Sequence, residues 1–284
     1  MIISGTELAR EIKQNVRERV TEVKEQYGRA PHLVVILVGE DPASQSYVKG
    51  KGKDAEEVGF KSTTIKRPAD ISEAELLELI AGLNADDFVD GILVQLPLPK
   101  HIDEDKVIAA IAKEKDVDGF HPANVAALWQ KMPCTYPCTP AGIIKLLDKA
   151  GVSIEGKKAV VIGRSNIVGL PVSKMLLDRN ATVTIAHSRT KDLPKVTSAA
   201  DILVVAIGKP KFVTADMVGE GAAVIDVGVN RDPATGKLCG DVDFEACKDK
   251  ASVITPVPGG VGPMTRACLM ENTLACFLRR MPKN

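Results

Sequence analysis

The stretch Ala159–Leu177 reads Ala-Val-Val-Ile-Gly-Arg-Ser-Asn-Ile-Val-Gly-Leu-Pro-Val-Ser-Lys-Met-Leu-Leu, and its interpretation decides the fold. A short apolar run ends in Gly163, and a polar turn follows. Helix-like spacing then resumes at Val172, Met175 and Leu176, behind Gly169-Leu170-Pro171. This pattern predicts a strand, a turn and a helix. A glycine ending such a strand lets a ligand approach the backbone, and the free N–H groups opening the helix attract phosphate. Pro171 suits a first helical turn, where its missing donor is not needed. Ser165 stands where a strict G-x-G-x-x-G would have its second glycine. Two readings follow, a dinucleotide-binding turn and an ordinary strand-to-helix connection. The phosphate chemistry favours the first.

On the C-terminal side, further strands are expected near Thr182 to Ala186, Ile202 to Ala206, Ala223 to Val227 and Ser252 to Ile254, giving a doubly wound half-sheet. Pro256 to Pro263 is rich in glycine and proline, and Met264 to Arg280 reads as a final amphipathic helix, with Arg279 and Arg280 near its negative end. On the N-terminal side, Leu8, Ile12, Val16 and Val20 mark a long helix over Thr6 to Tyr27. Strands are predicted at Leu33 to Val38, Phe60 to Ile65 and Val89 to Gln95. Between them lie a helix to about Val58 capped by Ser44 or Ser46 and another opened by the capping box Ser72-Glu73-Ala74-Glu75. Asp103 to Ala112 adds a helix. Alternating strands and helices indicate a parallel sheet. Lys115 to Pro140 reads as irregular, and Thr139-Pro140 as the cap and first turn of a helix to about Ala150. The domain change is placed here.

Lys plus Arg and Asp plus Glu are equal at 37 each, so no global field favours nucleic acid or a membrane surface. The longest apolar run, Leu33 to Val38, is far short of the roughly 20 residues that span a bilayer. Without an apolar signal core, and with Glu7 and Glu11 near the start, a cytoplasmic protein is expected. The six cysteines contain no C-x-x-C pair and the four histidines no metal spacing, so buried free thiols and no metal site are expected.

Tyr47 and Lys51 are four residues apart and share a helix face, which Lys49 and Lys53 do not. An aromatic ring beside an ammonium suits a planar ligand with proton exchange, whereas a lysine snorkelling over a half-buried tyrosine is the simpler reading. Gln95 ends a strand, where open α/β sheets bind ligands. Asp118 is either a turn residue before Gly119 or a carboxylate able to accept two hydrogen bonds from a ring N–H and its adjacent amino group. After the second strand of the nucleotide half, His187-Ser188-Arg189-Thr190 replaces the usual acidic residue. Ser188, Arg189 and Arg164 suit a 2′-phosphate, which favours NADP over NAD, against a merely solvated polar loop.

Taken together, six segments carry a resemblance. They are Asp41-Pro42-Ala43-Ser44 leading to Tyr47-x-x-x-Lys51, Gln95-Leu96-Pro97-Leu98-Pro99, Lys115-Asp116-Val117-Asp118-Gly119-Phe120-His121-Pro122, Pro137-Cys138-Thr139-Pro140, Gly163-Arg164-Ser165-Asn166-Ile167-Val168-Gly169, and Pro258-Gly259-Gly260-Val261-Gly262-Pro263-Met264-Thr265. In this order they resemble the bifunctional methylenetetrahydrofolate dehydrogenase/methenyltetrahydrofolate cyclohydrolase family over nearly the whole chain.

The resemblance implies two α/β domains. A folate-binding domain would take residues 1–138 plus 265–284, with the last helix returning to it, and a Rossmann-type doubly wound NADP domain would take 139–264. It also implies a homodimer and a small-molecule folate substrate. By motif position, Tyr47 stacks on the folate, Lys51 is the cyclohydrolase catalyst, Gln95 tunes it and Asp118 holds the pterin. Val94, Leu96 and Pro258, Gly259, Gly260, Val261 and Gly262 are further substrate contacts. Gly163, Arg164, Ser165, Ser188, Arg189 and Val229 are the implied cofactor contacts.

The implied chemistry fits what the sequence lacks. Hydride leaves the methylene carbon of 5,10-methylenetetrahydrofolate as an adjacent nitrogen lone pair stabilises the cation, so this step needs alignment more than an acid or base. Hydrolysis of the methenyl cation to 10-formyltetrahydrofolate does need proton transfer, and Lys51 is placed for it. Burial and a neighbouring positive charge favour the neutral amine that a base requires, and the substrate cation supplies such a charge. Two alternatives are a dehydrogenase with weak cyclohydrolase activity and a non-catalytic NADP- or folate-binding protein. Gly50 and Gly52 flank Lys51 and Ala126 replaces a common family glycine, three local departures from expectation.

Overall fold

Parallel strand pairing around a buried central strand organises each half of the chain. The structure, a computed structural model, describes Met1–Pro282. It divides into two compact units, the first comprising Glu11–Tyr136 and the stretch from Arg266 onward, the second Met1–Arg10 and Pro137–Thr265. The last two positions of the expected 265–284 segment lie outside the described residues.

Helix α1 (Gly5–Tyr27) starts in the second unit and continues into the first, where it buries Ile12, Val16, Val20 and Val23. In the first unit, β1 (His32–Val38) is buried at every position because it is central, which is why it reads as an unbroken apolar run. Helix α2 (Pro42–Glu57) leads to β2 (Lys61–Arg67) on one side of β1. Helix α3 (Glu73–Ala85) then carries the chain to β3 (Gly91–Val94) on the other side, and both pairings are parallel. The connection thus reverses direction at β1. Asp41, not Ser44 or Ser46, caps α2. Its carboxylate accepts the Ser44 N–H at 2.7 Å, and Pro42 takes the first helical position. The Ser72–Glu75 capping box forms as expected.

After α4 (Glu104–Ala110), the segment expected to be irregular contains α5 (Pro122–Trp129). Its eight residues are too few for a legible helical period. The structure instead uses His121, whose Nδ1 accepts the Ala123 N–H at 3.0 Å, and Pro122 as cap and first residue.

The second unit continues with α6 (Cys138–Lys149), β4 (Lys158–Ile162), α7 (Gly169–Asp178), β5 (Thr182–Ala186), α8 (Leu193–Thr197), β6 (Ile202–Val205) and β7 (Ala223–Asp226). A small hairpin of β8 (Asn230–Arg231) and β9 (Leu238–Cys239), absent from the sequence reading because its strands have two residues each, precedes α9 (Phe244–Cys247) and β10 (Val253–Ile254). The five-stranded sheet has the order β10-β7-β6-β4-β5, parallel throughout. Here the chain moves from β4 to β5 on one side and then to β6 on the other. Val160, Ile162, Leu203, Val205 and Val224 form the core beneath it. The amino terminus joins this unit through backbone pairing, for Ile2 bridges Ile254 and the Ile3 N–H donates to Ile254 O at 3.0 Å.

Helix α10 (Val261–Arg280) starts in the second unit and returns to the first from Arg266. A fully buried carboxylate holds its end. Asp90 accepts from Arg29 at 2.6 and 2.9 Å, from Arg280 at 3.1 Å and from the His32 N–H at 2.9 Å, while Arg29 also lies over the Phe277 ring at 4.6 Å. Removing one partner of such a buried pair typically costs about 3 kcal/mol or more. Among the described residues, no helix is long and apolar enough to cross a membrane.

Candidate functional site

In the first unit the expected catalytic groups stand at the point where the sheet connection reverses. Helix α2 leaves the carboxyl end of β1, and Gln95 follows the neighbouring β3, with its N–H donating to Ile36 O of β1 at 2.9 Å. Lys51, only 9% exposed, reaches across and donates from Nζ to Gln95 Oε1 at 3.0 Å. The Gln95 amide nitrogen donates to Leu96 O at 2.7 Å. An ammonium can only donate and an amide oxygen can only accept, so this pairing fixes which way the Gln95 amide faces.

Gly50 has a packing reason. A Cβ there would lie 2.6 Å from an Arg266 guanidinium nitrogen, and that arginine pairs with the buried Asp54 at 3.2 Å. Asp54 also binds Lys13 at 2.9 Å. The glycine therefore lets a cation from α10 pack against the helix beside Lys51. No atom of another element lies within 4 Å of a Cβ at Gly52, and nothing in the structure explains that glycine.

Tyr47 lies one turn before Lys51 on the same stripe of α2 and is 43% exposed, so its ring is free to meet a ligand. Asp118 is half-buried. The chain at Asp116 bridges Ile92 of β3 in parallel, and Asp118 follows two residues later in a bend. The buried Asp116 shapes this segment by accepting the Gly119 and His121 N–H groups at 3.0 and 2.8 Å and the Asn124 amide at 2.8 Å. Ala126, the departure noted above, sits inside α5, where alanine is the better helix former. Val94 is buried and Leu96 half-buried.

In the second unit, Gly163 follows β4 at φ +122°, and a Cβ there would collide with Ala206 O of the neighbouring strand end. Only glycine fits this turn. Arg164 and Ser165 are exposed, and the Ser165 hydroxyl accepts the Val168 and Gly169 N–H groups at 3.2 and 3.4 Å, so this serine organises the first turn of α7. Level with it, β5 ends in a tight turn. The His187 N–H donates to Thr190 Oγ1 at 2.9 Å and the Arg189 N–H to His187 Nδ1 at 3.1 Å, leaving the Ser188 and Arg189 side chains exposed. A steric niche and two exposed guanidinium groups at adjacent strand ends fit an anionic dinucleotide.

Within the same unit, Pro258–Gly262 forms a turn feeding α10. Thr6 donates its N–H to Gly259 O at 3.1 Å, and Val261 is buried, leaving backbone rather than side chain as its polar offering.

The profile described as "Tetrahydrofolate dehydrogenase/cyclohydrolase, catalytic domain" matches residues 3–118, and "Tetrahydrofolate dehydrogenase/cyclohydrolase, NAD(P)-binding domain" matches residues 137–281. This chain belongs to the tetrahydrofolate dehydrogenase/cyclohydrolase family. It is 57% identical to the bifunctional protein FolD of Streptococcus pneumoniae over 282 residues, 99% of each chain. The FolD methylenetetrahydrofolate dehydrogenase/cyclohydrolase of Campylobacter jejuni superposes with a TM-score of 0.96 at 49% identity, covering 99% of both chains. The Trypanosoma brucei methylenetetrahydrofolate dehydrogenase-cyclohydrolase, solved with NADP cofactor and inhibitor, gives 0.94 at 40% identity over 98% of this chain and 97% of that one.

The family enzyme described here is thus a methylenetetrahydrofolate dehydrogenase and a methenyltetrahydrofolate cyclohydrolase, an NADP-linked oxidoreductase and a hydrolase of folate one-carbon metabolism. Its six cysteines are free, and burial pushes Cys247 and Cys276 up to about 11, which suppresses their thiolates.

The sequence reading missed one polar cluster in the family enzyme. Asp226, at the carboxyl end of β7, and Asp241, after β9, are both buried side by side. Asp226 accepts the N–H groups of Gly228, Asp241 and Val242 at 3.0, 2.9 and 2.9 Å. Burial nevertheless pushes its carboxyl up to about 6. The signal was the Gly240-Asp241-Val242-Asp243 run, which carries no periodicity to distinguish it from a turn. Between the ordinary carboxyl value of 3.8 and about 6, folded Asp226 holds a proton that the unfolded chain releases. The stability it contributes therefore falls as pH rises through that window and is level above it. In urea unfolding across the window, the advantage of the wild type over Asp226→Asn should shrink with rising pH. A constant difference would argue against this assignment.

Proposed function

We propose that Lys51 is the proton-transfer group of the cyclohydrolase step, and the observation that carries this is its hydrogen bond to Gln95. The bond holds the buried Nζ in one place at the carboxyl end of the sheet, the fixed geometry that a proton-transfer group needs. Water adds to the methenyl carbon and loses a proton to the amine. The carbon–N5 bond then breaks as the added hydroxyl gives up its proton and becomes the formyl carbonyl, N5 keeping the electron pair and taking a proton, and 10-formyltetrahydrofolate leaves with one proton released overall. Gln95 orients Lys51, Tyr47 stacks on the folate and Asp118 holds the pterin. Val94, Leu96 and Pro258, Gly259, Gly260, Val261 and Gly262 complete the folate contacts.

Hydride transfer asks for alignment alone. Gly163, Arg164, Ser165, Ser188, Arg189 and Val229 would hold the NADP, which supplies the hydride acceptor, and the two exposed arginines favour it over NAD. Residues 1–138 with 265–284 serve the folate and 139–264 the dinucleotide. The enzyme acts in the cytoplasm as a homodimer.

Lys51→Met should retain hydride transfer and lose most cyclohydrolase activity, read as NADPH formation and methenyl absorbance decay on one sample. Equal loss of both, with folding intact, would sink the division of labour. Arg189→Ala should weaken NADP binding several-fold and leave NAD binding alone; unchanged NADP affinity would reduce the residue to a loop charge. Light scattering should return twice the chain mass, and a monomer mass would remove the dimer.

A further inference from the structure

An open doubly wound sheet binds its ligand where the connection reverses, which in the second unit is between β4 and β6. One wall of that crevice is the Gly163–Gly169 turn after β4. The other is the loop after β6, Ile207–Lys209, half-buried at Ile207 and exposed at Gly208 and Lys209, together with the segment after β7 that carries Val229. Among the described residues the Ile207–Lys209 backbone has no ladder partner beyond β6, and beside Val229 only the two-residue pairing of β8 with β9 begins, so something else must hold this wall.

Asp241 does. Its Oδ2 accepts the N–H groups of Ile207 and Gly208 at 2.7 and 3.0 Å, and its Oδ1 accepts the Lys209 N–H and the Asn230 side-chain amide, both at 2.8 Å. The side chain is fully buried, and both oxygens are used. Val229, 46% exposed, is thereby pinned on both sides. The Gly228 N–H goes to Asp226 and the Asn230 amide goes to Asp241. A Cβ at Gly228 would collide with the Asp241 carboxyl and one at Gly240 with that of Asp226, so two glycines make room for this pair.

The carboxylate is not needed to hold its own segment. Backbone bonds already do so, with the Val213 N–H donating to Asp241 O at 2.9 Å and the Asp243 N–H to Val213 O at 2.8 Å. Its reach is outward, to the crevice wall.

We propose that Asp241 is a positioning residue for the dinucleotide, fixing the Ile207–Lys209 loop and Val229 as the wall that meets the part of the cofactor remote from its 2′-phosphate. The 2′-phosphate end belongs with Arg189 after β5, on the opposite side of β4, so this inference rests on the cofactor reading given above. It separates from that reading in its effect, because a wall remote from the 2′-phosphate serves NADP and NAD alike.

The test uses Asp241→Asn, which keeps the shape but turns an amide N–H2 toward converging N–H donors. Calorimetric binding to the apo enzyme should show about a tenfold weaker Kd for both NADP and NAD, with their ratio unchanged, since hydrogen bonds to a charged group are lost. Hydrogen exchange at the Ile207, Gly208 and Lys209 amides should speed up by a similar factor in the absence of cofactor. Cyclohydrolase turnover, which consumes no dinucleotide, should stay within about twofold. Unchanged Kd values, or cyclohydrolase lost in proportion to binding, would overturn the proposal. If the asparagine variant does not fold, Asn230→Ala removes one donor without stranding a charge and should weaken both cofactors about threefold; no change there also overturns it. Should Arg189→Ala alter the NADP-to-NAD ratio while both Asp241 and Asn230 variants bind normally, the cofactor reading stands and this inference falls. Failure of Arg189→Ala alone would instead fault the reading of the 2′-phosphate end.

Discussion

Each unit of this enzyme depends on one topological constraint, an interior parallel strand from which the chain departs to one side and to which it returns on the other. At that strand the two departing connections diverge and leave a crevice at the carboxyl ends. In the first unit the interior strand is β1, and the residues beside the gap are those of α2 and the end of β3. In the second it is β4, flanked by the turn into α7 and the loop after β6. Lys51 and Gln95, 44 positions apart, meet because each follows one of two adjacent strands.

Because loops at strand ends lack ladder partners, buried carboxylates do the work of secondary structure around them. Asp116 gathers the turn that carries Asp118. Asp226 and Asp241 gather the loops beyond β6 and β7, and Asp90 ties α10 to the sheet of the first unit. Each accepts several N–H or guanidinium donors, the arrangement under which burying a carboxylate is tolerable. The groups with proposed chemistry are more accessible, for Tyr47, Arg164 and Arg189 are exposed while a buried scaffold orients them. Lys51 is the exception. It is buried and donates to the neutral Gln95 amide, which fixes the position of the proposed proton-transfer group.

Much of this was legible in the sequence. The run Leu33–Val38 announced a central strand because burial on both faces leaves no polar alternation, and the Ser72 box announced α3 because a cap satisfies local donors by local chemistry. The four-residue spacing of Tyr47 and Lys51 and the glycine closing β4 were likewise local facts. What escaped was short or remote. Helix α5 and the hairpin of β8 and β9 are too brief to show a period, and the cap of α2 was expected at Ser44 or Ser46, whereas Asp41 supplies it.

Periodicity, capping chemistry and ordered motifs along the chain thus determined the parallel α/β architecture and the strand–glycine–helix turn at Gly163, and they singled out the candidates for the reactive residues, because each depends on neighbours within a few positions. Tertiary structure alone decided that the amino terminus pairs with β10, that Gly50 makes room for Arg266 and that Asp241 braces the loop after β6. These contacts join residues tens to hundreds of positions apart, and only the close packing of distant segments brings their atoms within bonding distance.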